Sequence, residues 1–292
     1  MSRVAAASRG LIRTARPRQW VKNVLVAAGP IAAGTIGDRS VIGPVIVAFV
    51  AFCLAASAVY LLNDVLDVEA DRAHPVKRAR PIAAGLVSSR TALATAAVLA
   101  LVAHVGTFAL GYGQLTLVLL SYTALQIAYC VALKHQPVLD LAVVSSGFLL
   151  RAVGGGVAVD VELSPNFLLV ASFGSLFMVA GKRYSEVHLV GDGEHATRRS
   201  LELYSQSYLR FVWSIAAATT IVFYSLWAFS FDDSTPLAEI SIAPFVIALL
   251  RYAVDIDRGA AGEPEEIVFN DRVLQLLGLA WLALFTAGAV NR

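Results

Sequence analysis

Charge is scarce in this 292-residue chain. Only 15% of its residues are Asp, Glu, Lys or Arg, against roughly 25% in soluble domains. With 58% hydrophobic residues and a mean hydropathy of +0.69, the shortage excludes a protein whose only solvent is water. Cysteine is nearly absent. Cys53 and Cys130 both fall inside apolar runs, so they read as small buried hydrophobes and not as a disulfide or a metal site. The apolar runs also lack the strict alternation and turn spacing of a membrane barrel, which leaves helices as the way across a bilayer.

What is present is a succession of apolar runs at 19–36, 41–62, 91–111, 114–133, 138–159, 166–181, 207–230, 241–254 and 272–290. At about 20 residues per span, these nearly exhaust the chain and leave little for a separate soluble domain. The expected fold is all-α: a polytopic membrane helical bundle of about nine transmembrane helices, forming a single integral membrane domain over residues 1–292. The run at 241–254 is the weakest of the set.

The charges alternate between the two sides. One set of gaps holds Arg3, Arg9, Arg13, Arg16, Arg18, Lys22, Arg72, Lys77, Arg78, Arg80, Arg90 and Lys134, then Lys182, Arg183, Arg198, Arg199, Arg210, Arg251, Arg258 and Arg272. The other holds Arg39 and Arg292 with Asp38, Asp160, Glu162, Asp232, Asp233 and Glu239. The positive-inside rule places the first set, and the N-terminus, in the cytoplasm and the C-terminus outside. The basic start followed by Ala27-Ala28-Gly29 resembles a signal peptide. Arg16, Arg18 and Lys22 set against Trp20 read better as the interfacial collar of a retained helix.

The most informative stretch, Asn63 to Gly85, reads NDVLDVEADRAHPVKRARPIAAG. Asp64, Asp67 and Asp71 fall at i, i+3 and i+7, one helical face, flanked by Asn63 and His74. Three carboxylates on one face repel unless a cation lies between them. Mg²⁺ held by a few carboxylates, with a substrate diphosphate completing its shell, is the chemistry that wants this pattern. Lys77, Arg78 and Arg80 follow closely and suit the remaining phosphate charge. The bland alternative is a solvated helix end, but these acids continue directly from an apolar span.

The pattern N-D-x-x-D-x-x-x-D after the second span, met by Asn63, Asp64, Asp67 and Asp71, resembles the signature of the UbiA-type intramembrane prenyltransferase superfamily. The resemblance covers nearly the whole chain. It implies nine transmembrane helices and a Mg²⁺-bound diphosphate substrate in a cavity open to the cytoplasm and the lipid. Typical members carry a second aspartate-rich motif after the sixth span. This chain has Gly181-Lys182-Arg183-Tyr184-Ser185-Glu186 instead, leaving only Glu186 in the acidic role. Lys22, Lys134 and Arg151 add basic residues. Arg151 lies inside a span, where an arginine usually faces a cavity or a partner, and precedes Gly154-Gly155-Gly156, a run expected to loosen a helix. His104, also inside a span, reads as a packed histidine.

Within the superfamily the chain resembles the branch that transfers phosphoribosyl groups to decaprenyl phosphate. The stretches that carry this are RPRQWVKN (16–23), the Asp motif, LKHQPVLD (133–140), GFLLRAVGGG (147–156) and GKRYSE (181–186). The implied substrates are phosphoribosyl diphosphate (PRPP) and a polyprenyl phosphate, at the cell membrane, for the lipid-linked precursor of cell-wall arabinan. The abundance of cations agrees with so many phosphates.

In that reading Asp64, Asp67 and Asp71 hold Mg²⁺, and Asn63 orients the diphosphate or completes the shell. Lys77, Arg78, Arg80, Lys182 and Arg183 are candidates for the donor phosphates, and Tyr184 for a phosphate or the ribose. Lys22, Lys134 and Arg151 are candidates for the acceptor phosphate or the donor's 5-phosphate, and their roles are not divided. The catalytic loops are expected at 63–90 and 182–208, the latter a lid or a solvated linker. The acid-rich stretch 255–271 reads as solvated surface. Small residues on the spans permit close packing within one chain or in a homo-oligomer. The partners expected are these substrates and the bilayer, not nucleic acid. Two other readings compete: a prenyl diphosphate donor with an aromatic acceptor, which the basic second motif disfavours, and a transporter. Transporters keep ionisable residues near the bilayer midplane, whereas here they cluster at the cytoplasmic ends.

Overall fold

The computed structural model describes residues 3–191, 203–231, 236–262 and 264–290, and their regular structure is helical. In chain order come α1 (Arg3–Ala15), a 3-10 helix (Pro17–Ala27), α2 (Ala28–Ala32), α3 (Arg39–Leu66), α4 (Val68–Ala73), a 3-10 turn (Lys77–Ala79), α5 (Ser89–Ala109), α6 (Gly113–Val131), a 3-10 turn (Leu133–His135) and α7 (Leu139–Ala158). Then follow α8 (Pro165–Gly191), α9 (Gln206–Ala228), α10 (Leu237–Ile240), α11 (Ile242–Asp257), α12 (Pro264–Asn270) and α13 (Arg272–Val290). Residues 192–202, within the stretch expected to be a lid or a solvated linker and holding Arg198 and Arg199, lie outside the described residues.

Eight helices among the described residues are long and apolar enough to cross a membrane, and they match the expected runs from the second onward. The chain is a multi-pass membrane protein. The first run, 19–36, is helical but irregular: an 11-residue 3-10 helix followed by five residues of α2. A 3-10 stretch of that length is uncommon and needs tertiary support. Large apolar side chains are exposed along the spans. On α5, Val98, Leu101, Val105 and Phe108 are 58%, 62%, 54% and 71% exposed on one face, a ridge suited to lipid and a liability in water.

The chain divides into two compact units. The first contains the residues up to Ala28, Arg39–Leu133 and Leu150–Val161. Its core gathers Ala48, Ala51, Phe52, Ala55 and Ala56 of α3 with Ala103, Leu115, Leu119 and Tyr122. Small residues on α3 let neighbouring backbones approach closely. The glycine run of α7 serves the same end and does not loosen the helix. A Cβ on Gly155 would stand 1.6 Å from the Val26 carbonyl oxygen, and one on Gly154 2.5 Å from the Phe52 ring. The 3-10 helix therefore lies directly against α7. Trp20 donates its indole N–H to Ser57 Oγ (3.1 Å), and Ser57 donates to the Ala15 carbonyl (3.1 Å), which ties the same segment to α3.

The second unit contains Gly29–Asp38, Lys134–Leu149 and the residues from Glu162 onward. Its core joins Leu141, Phe177, Tyr184, Tyr204, Leu209, Tyr252 and Ile256. Ser205 caps α9 by accepting from the Tyr208 amide at 3.1 Å, satisfying a helix-end donor. An aromatic cluster of Tyr224, Phe245, Trp281 and Phe285 carries a hydrogen bond from Trp281 Nε1 to Tyr224 Oη at 2.7 Å.

Candidate functional site

The carboxylate row sits where α3 gives way to α4. Asp67 occupies the junction with φ −92° and ψ 4°. The helical hydrogen bonds persist across it, from Asp67 N to Asn63 O (2.9 Å) and from Asp71 N to Asp67 O (2.8 Å), so the i, i+3, i+7 face survives the break. Asp64 and Asp71 are each only 3% exposed, while Asn63 and Asp67 are half-buried.

Buried carboxylates need cationic or hydrogen-bonding partners, and two arginines provide them. Arg80 Nη1 donates to Asp71 Oδ2 at 2.7 Å and to Asp64 Oδ1 at 3.3 Å. Arg16 Nη2 donates to Asp64 Oδ1 at 2.7 Å, its guanidinium 4.8 Å above the Tyr60 ring. Arg80 is placed by the turn before it. His74 Nδ1 accepts from the amides of Val76 (3.1 Å) and Lys77 (3.2 Å), so His74 organises the loop. Lys77 and Arg78 form the 3-10 turn, Arg78 exposed and Lys77 half-buried.

Two carboxylate oxygens seven residues apart thus meet at one cationic nitrogen. Among the described residues no group of three or more His, Cys, Asp or Glu side chains is gathered to hold a metal ion by itself. Mg²⁺ rarely asks for that: it takes one or two carboxylates and completes its shell with water and phosphate. Asp64 and Asp71 fit such a role, with hard oxygen donors already aimed at a common point.

Deeper in the first unit, Arg151 is buried and makes specific bonds. Its Nε donates to Asn23 Oδ1 (2.7 Å), its Nη2 donates to Tyr122 Oη (3.0 Å), and its guanidinium lies 4.9 Å from the Tyr122 ring centre. Asn23 in turn donates to Cys53 Sγ at 3.2 Å. This arginine fastens the 3-10 helix to α3, α6 and α7. Lys22, one residue away, is half-buried.

In the second unit the GKRYSE stretch lies within α8, and its charges are engaged by neighbours. Arg183, 3% exposed, donates from Nε to Asp140 Oδ2 (3.3 Å) and from Nη1 to Glu186 Oε2 (2.6 Å). Tyr204 donates its hydroxyl to Asp140 Oδ1 at 2.5 Å and accepts from the Val138 amide at 2.6 Å. Val138 holds a left-handed φ of 70°, rare for a β-branched residue. That conformation is fixed by the Tyr204–Asp140–Arg183 chain. Burial pushes the Tyr204 phenol above its ordinary range, and the bond to Asp140 pushes it further. Tyr184 is buried, its hydroxyl accepting from Arg210 Nη2 at 2.7 Å, and Arg210 also reaches Asp257 at 2.9 Å. Lys182 is half-buried and Lys134 buried.

Of the residues singled out from sequence, Asp64, Asp71 and Arg80 are brought together in one cluster, and Arg183 and Glu186 in another. Four residues outside that set take part: Arg16 joins the first cluster, Asn23 bonds Arg151, and Asp140 and Tyr204 join the second cluster. The first three lie inside the stretches 16–23 and 133–140. An acid at the head of an apolar span is the signal for Asp140, because it must find a cation such as Arg183 when buried.

A polytopic helical fold with paired carboxylates at a helix end defines a class of intramembrane proteins. The UbiA prenyltransferase family model matches residues 24–289, and the chain belongs to that family. A decaprenyl-phosphate phosphoribosyltransferase of Mycobacterium tuberculosis (strain ATCC 25618 / H37Rv) is 55% identical, covering 96% of this chain and 93% of that protein. The protein of the same name from Mycolicibacterium smegmatis is 54% identical, covering 96% and 92%. A UbiA homolog from Archaeoglobus fulgidus, solved bound to DMAPP and Mg²⁺, shares the fold with a TM-score of 0.74 over 96% of this chain and 97% of that one, at 16% identity.

Proposed function

We propose that this chain transfers a 5-phosphoribosyl group from PRPP to a polyprenyl phosphate such as decaprenyl phosphate, releasing diphosphate. One observation carries the chemistry: Asp64 Oδ1 and Asp71 Oδ2 share a single cationic partner, Arg80 Nη1. This is the donor pair a Mg²⁺–diphosphate complex requires. The names of relatives 54–55% identical over nearly the whole length narrow the substrates.

The acceptor is its own nucleophile. A phosphate monoester, with a second pKa of about 6, is ionised near neutral pH, so no protein base is needed. An acceptor oxygen forms the new bond to ribose C1 while the C1–diphosphate bond breaks and its electron pair leaves with diphosphate. Attack opposite the leaving group inverts C1; a product of retained configuration contradicts that. When bound, Mg²⁺ neutralises charge on the departing diphosphate.

The chain's own residues bind and orient. Asp64 and Asp71, with Asp67 beside them, would hold the metal, and Asn63 would orient the diphosphate. Arg80, released from the carboxylates, takes phosphate charge together with Lys77 and Arg78. In the second unit Lys182, Tyr184 and Lys134 are candidates for phosphate or ribose contacts, and Asp140 and Glu186 hold Arg183 in place. The basic ends of the spans support a cytoplasmic side for the carboxylate cluster, by the positive-inside rule.

The test is transfer of label from PRPP into the organic phase, with decaprenyl phosphate and Mg²⁺, by purified protein and by Asp67→Asn. Transfer that disappears in the variant is expected. Activity only with a prenyl diphosphate and an aromatic acceptor contradicts the reading.

A further inference from the structure

The first 37 residues contain Arg3, Arg9, Arg13, Arg16, Arg18 and Lys22 and not one acid. Structure divides them by face. Gly10, Leu11 and Thr14 turn toward the first unit. A Cβ on Gly10 would come within 2.6 Å of Val87, and Leu11 packs on the core around Ile82 and Val87. The opposite face of α1 presents Arg9, Ile12 and Arg13 outward, Ile12 at 63% exposure. At Arg16 the backbone turns left-handed, φ 52° and ψ 59°, and sends Pro17 and Arg18 into the 3-10 helix. The result is a cavity of about 420 Å³ lined by Arg9, Ile12, Arg13, Arg16, Pro17 and Arg18.

Four guanidiniums around one cavity repel each other and favour an anion. The guanidinium fork suits phosphate oxygens in particular. Two apolar side chains in the same lining favour a ligand that is part hydrocarbon. Arg16 belongs to both sites. It lines the cavity and its Nη2 also holds Asp64 at 2.7 Å. An anion here is therefore separated from the metal-binding carboxylates by a single side chain.

We propose that this cavity binds the phosphate of the isoprenoid lipid acceptor. Arg9, Arg13 and Arg18 hold the phosphate monoester, Ile12 and Pro17 meet the first isoprene units, and Arg16 connects the occupied cavity to Asp64. The proposal rests on the transferase reading above for the identity of the lipid, and on the cavity alone for the presence of an anion site.

The experiment is calorimetric titration of the full-length protein in detergent with farnesyl phosphate, without PRPP. The proteins compared are wild type, the triple variant Arg9→Gln/Arg13→Gln/Arg18→Gln, and Ile12→Glu. Both variants are expected to lose at least about ten-fold in affinity, the triple through its charged contacts and Ile12→Glu by placing a carboxylate among the arginines. Ile12 is exposed, so its variant answers the question even where the triple variant fails to fold. Inorganic phosphate and phosphatidylglycerol are expected to bind wild type at least about ten-fold more weakly than farnesyl phosphate. Unchanged binding by the variants overturns the proposal. Equal binding of inorganic phosphate makes the cavity a free-phosphate site, and equal binding of phosphatidylglycerol makes it a general lipid anchor; either outcome also overturns it. Label transfer from PRPP is scored separately. Transfer by wild type with unaltered variant binding sinks the site and spares the transferase reading. Variant-sensitive binding without transfer does the reverse.

Discussion

Arg80 and Asp71 form an ion pair of 2.7 Å, and the same nitrogen of Arg80 lies 3.3 Å from Asp64. Both carboxylates are almost fully buried. Arg80 therefore keeps two like charges together in the metal-free protein, at the point where a divalent ion would serve them both.

Removing that guanidinium leaves Asp64 with Arg16 and deprives Asp71 of its Arg80 contact. Arg80→Ala is expected to destabilise the metal-free protein by about 3 kcal/mol, the size seen when one partner of a buried pair is removed. Excess Mg²⁺ is expected to restore part of the loss, and Arg80→Ala/Asp71→Asn to be more stable than Arg80→Ala alone. Thermal unfolding in detergent, with and without Mg²⁺, reads all three.

The close approach of α7 to the 3-10 helix gives a second test. Gly155→Ala drives a methyl into the Val26 carbonyl, and the overpacking is expected to cost about 3 kcal/mol or more. Gly106→Ala, whose Cβ meets nothing within 4 Å, is expected to be neutral or stabilising by up to about 1 kcal/mol, since alanine is the better helix former. A matched pair of melting curves distinguishes the two.

Tyr204 makes stability sensitive to alkaline pH. Its phenol is raised above the ordinary value by burial and by the bond to Asp140. The unfolded chain therefore ionises first. The contribution is fully present below about pH 10, the unfolded value, and is lost as pH rises from there toward the folded value. Tyr204→Phe is expected to be less stable at neutral pH by about 1–2 kcal/mol, because Asp140 loses a donor in a buried site. It is also expected to lose less stability than wild type between neutral pH and the alkaline end. Equal alkaline slopes for the two proteins contradict the assignment.

Much of this molecule was legible in the sequence, because membrane spans and an i, i+3, i+7 carboxylate row are local signals. Eight of the apolar runs became spanning helices, and Asp64 and Asp71 meet as their spacing predicts. The first run was read as an ordinary span. Its 3-10 form depends on Gly155 and on the bond from Arg151 to Asn23, partners 128 residues apart, and no local pattern reports such a contact. The same limit applies to the second motif. Arg183 reads from sequence as a phosphate candidate, and its partner Asp140 lies 43 residues away. Charge type was visible in the chain, but the pairing of those charges is set by tertiary contacts.

The most direct test of the carboxylate pair is Mn²⁺ binding, followed by electron paramagnetic resonance on the full-length protein in detergent with inorganic diphosphate present. Mn²⁺ accepts the same oxygen ligands as Mg²⁺. Wild type is expected to bind it, and Asp64→Asn and Asp71→Asn each to weaken binding by at least about ten-fold, or 1.4 kcal/mol. Binding by both variants as tight as wild type would contradict the account, because the two carboxylates that meet at Arg80 would then hold no metal.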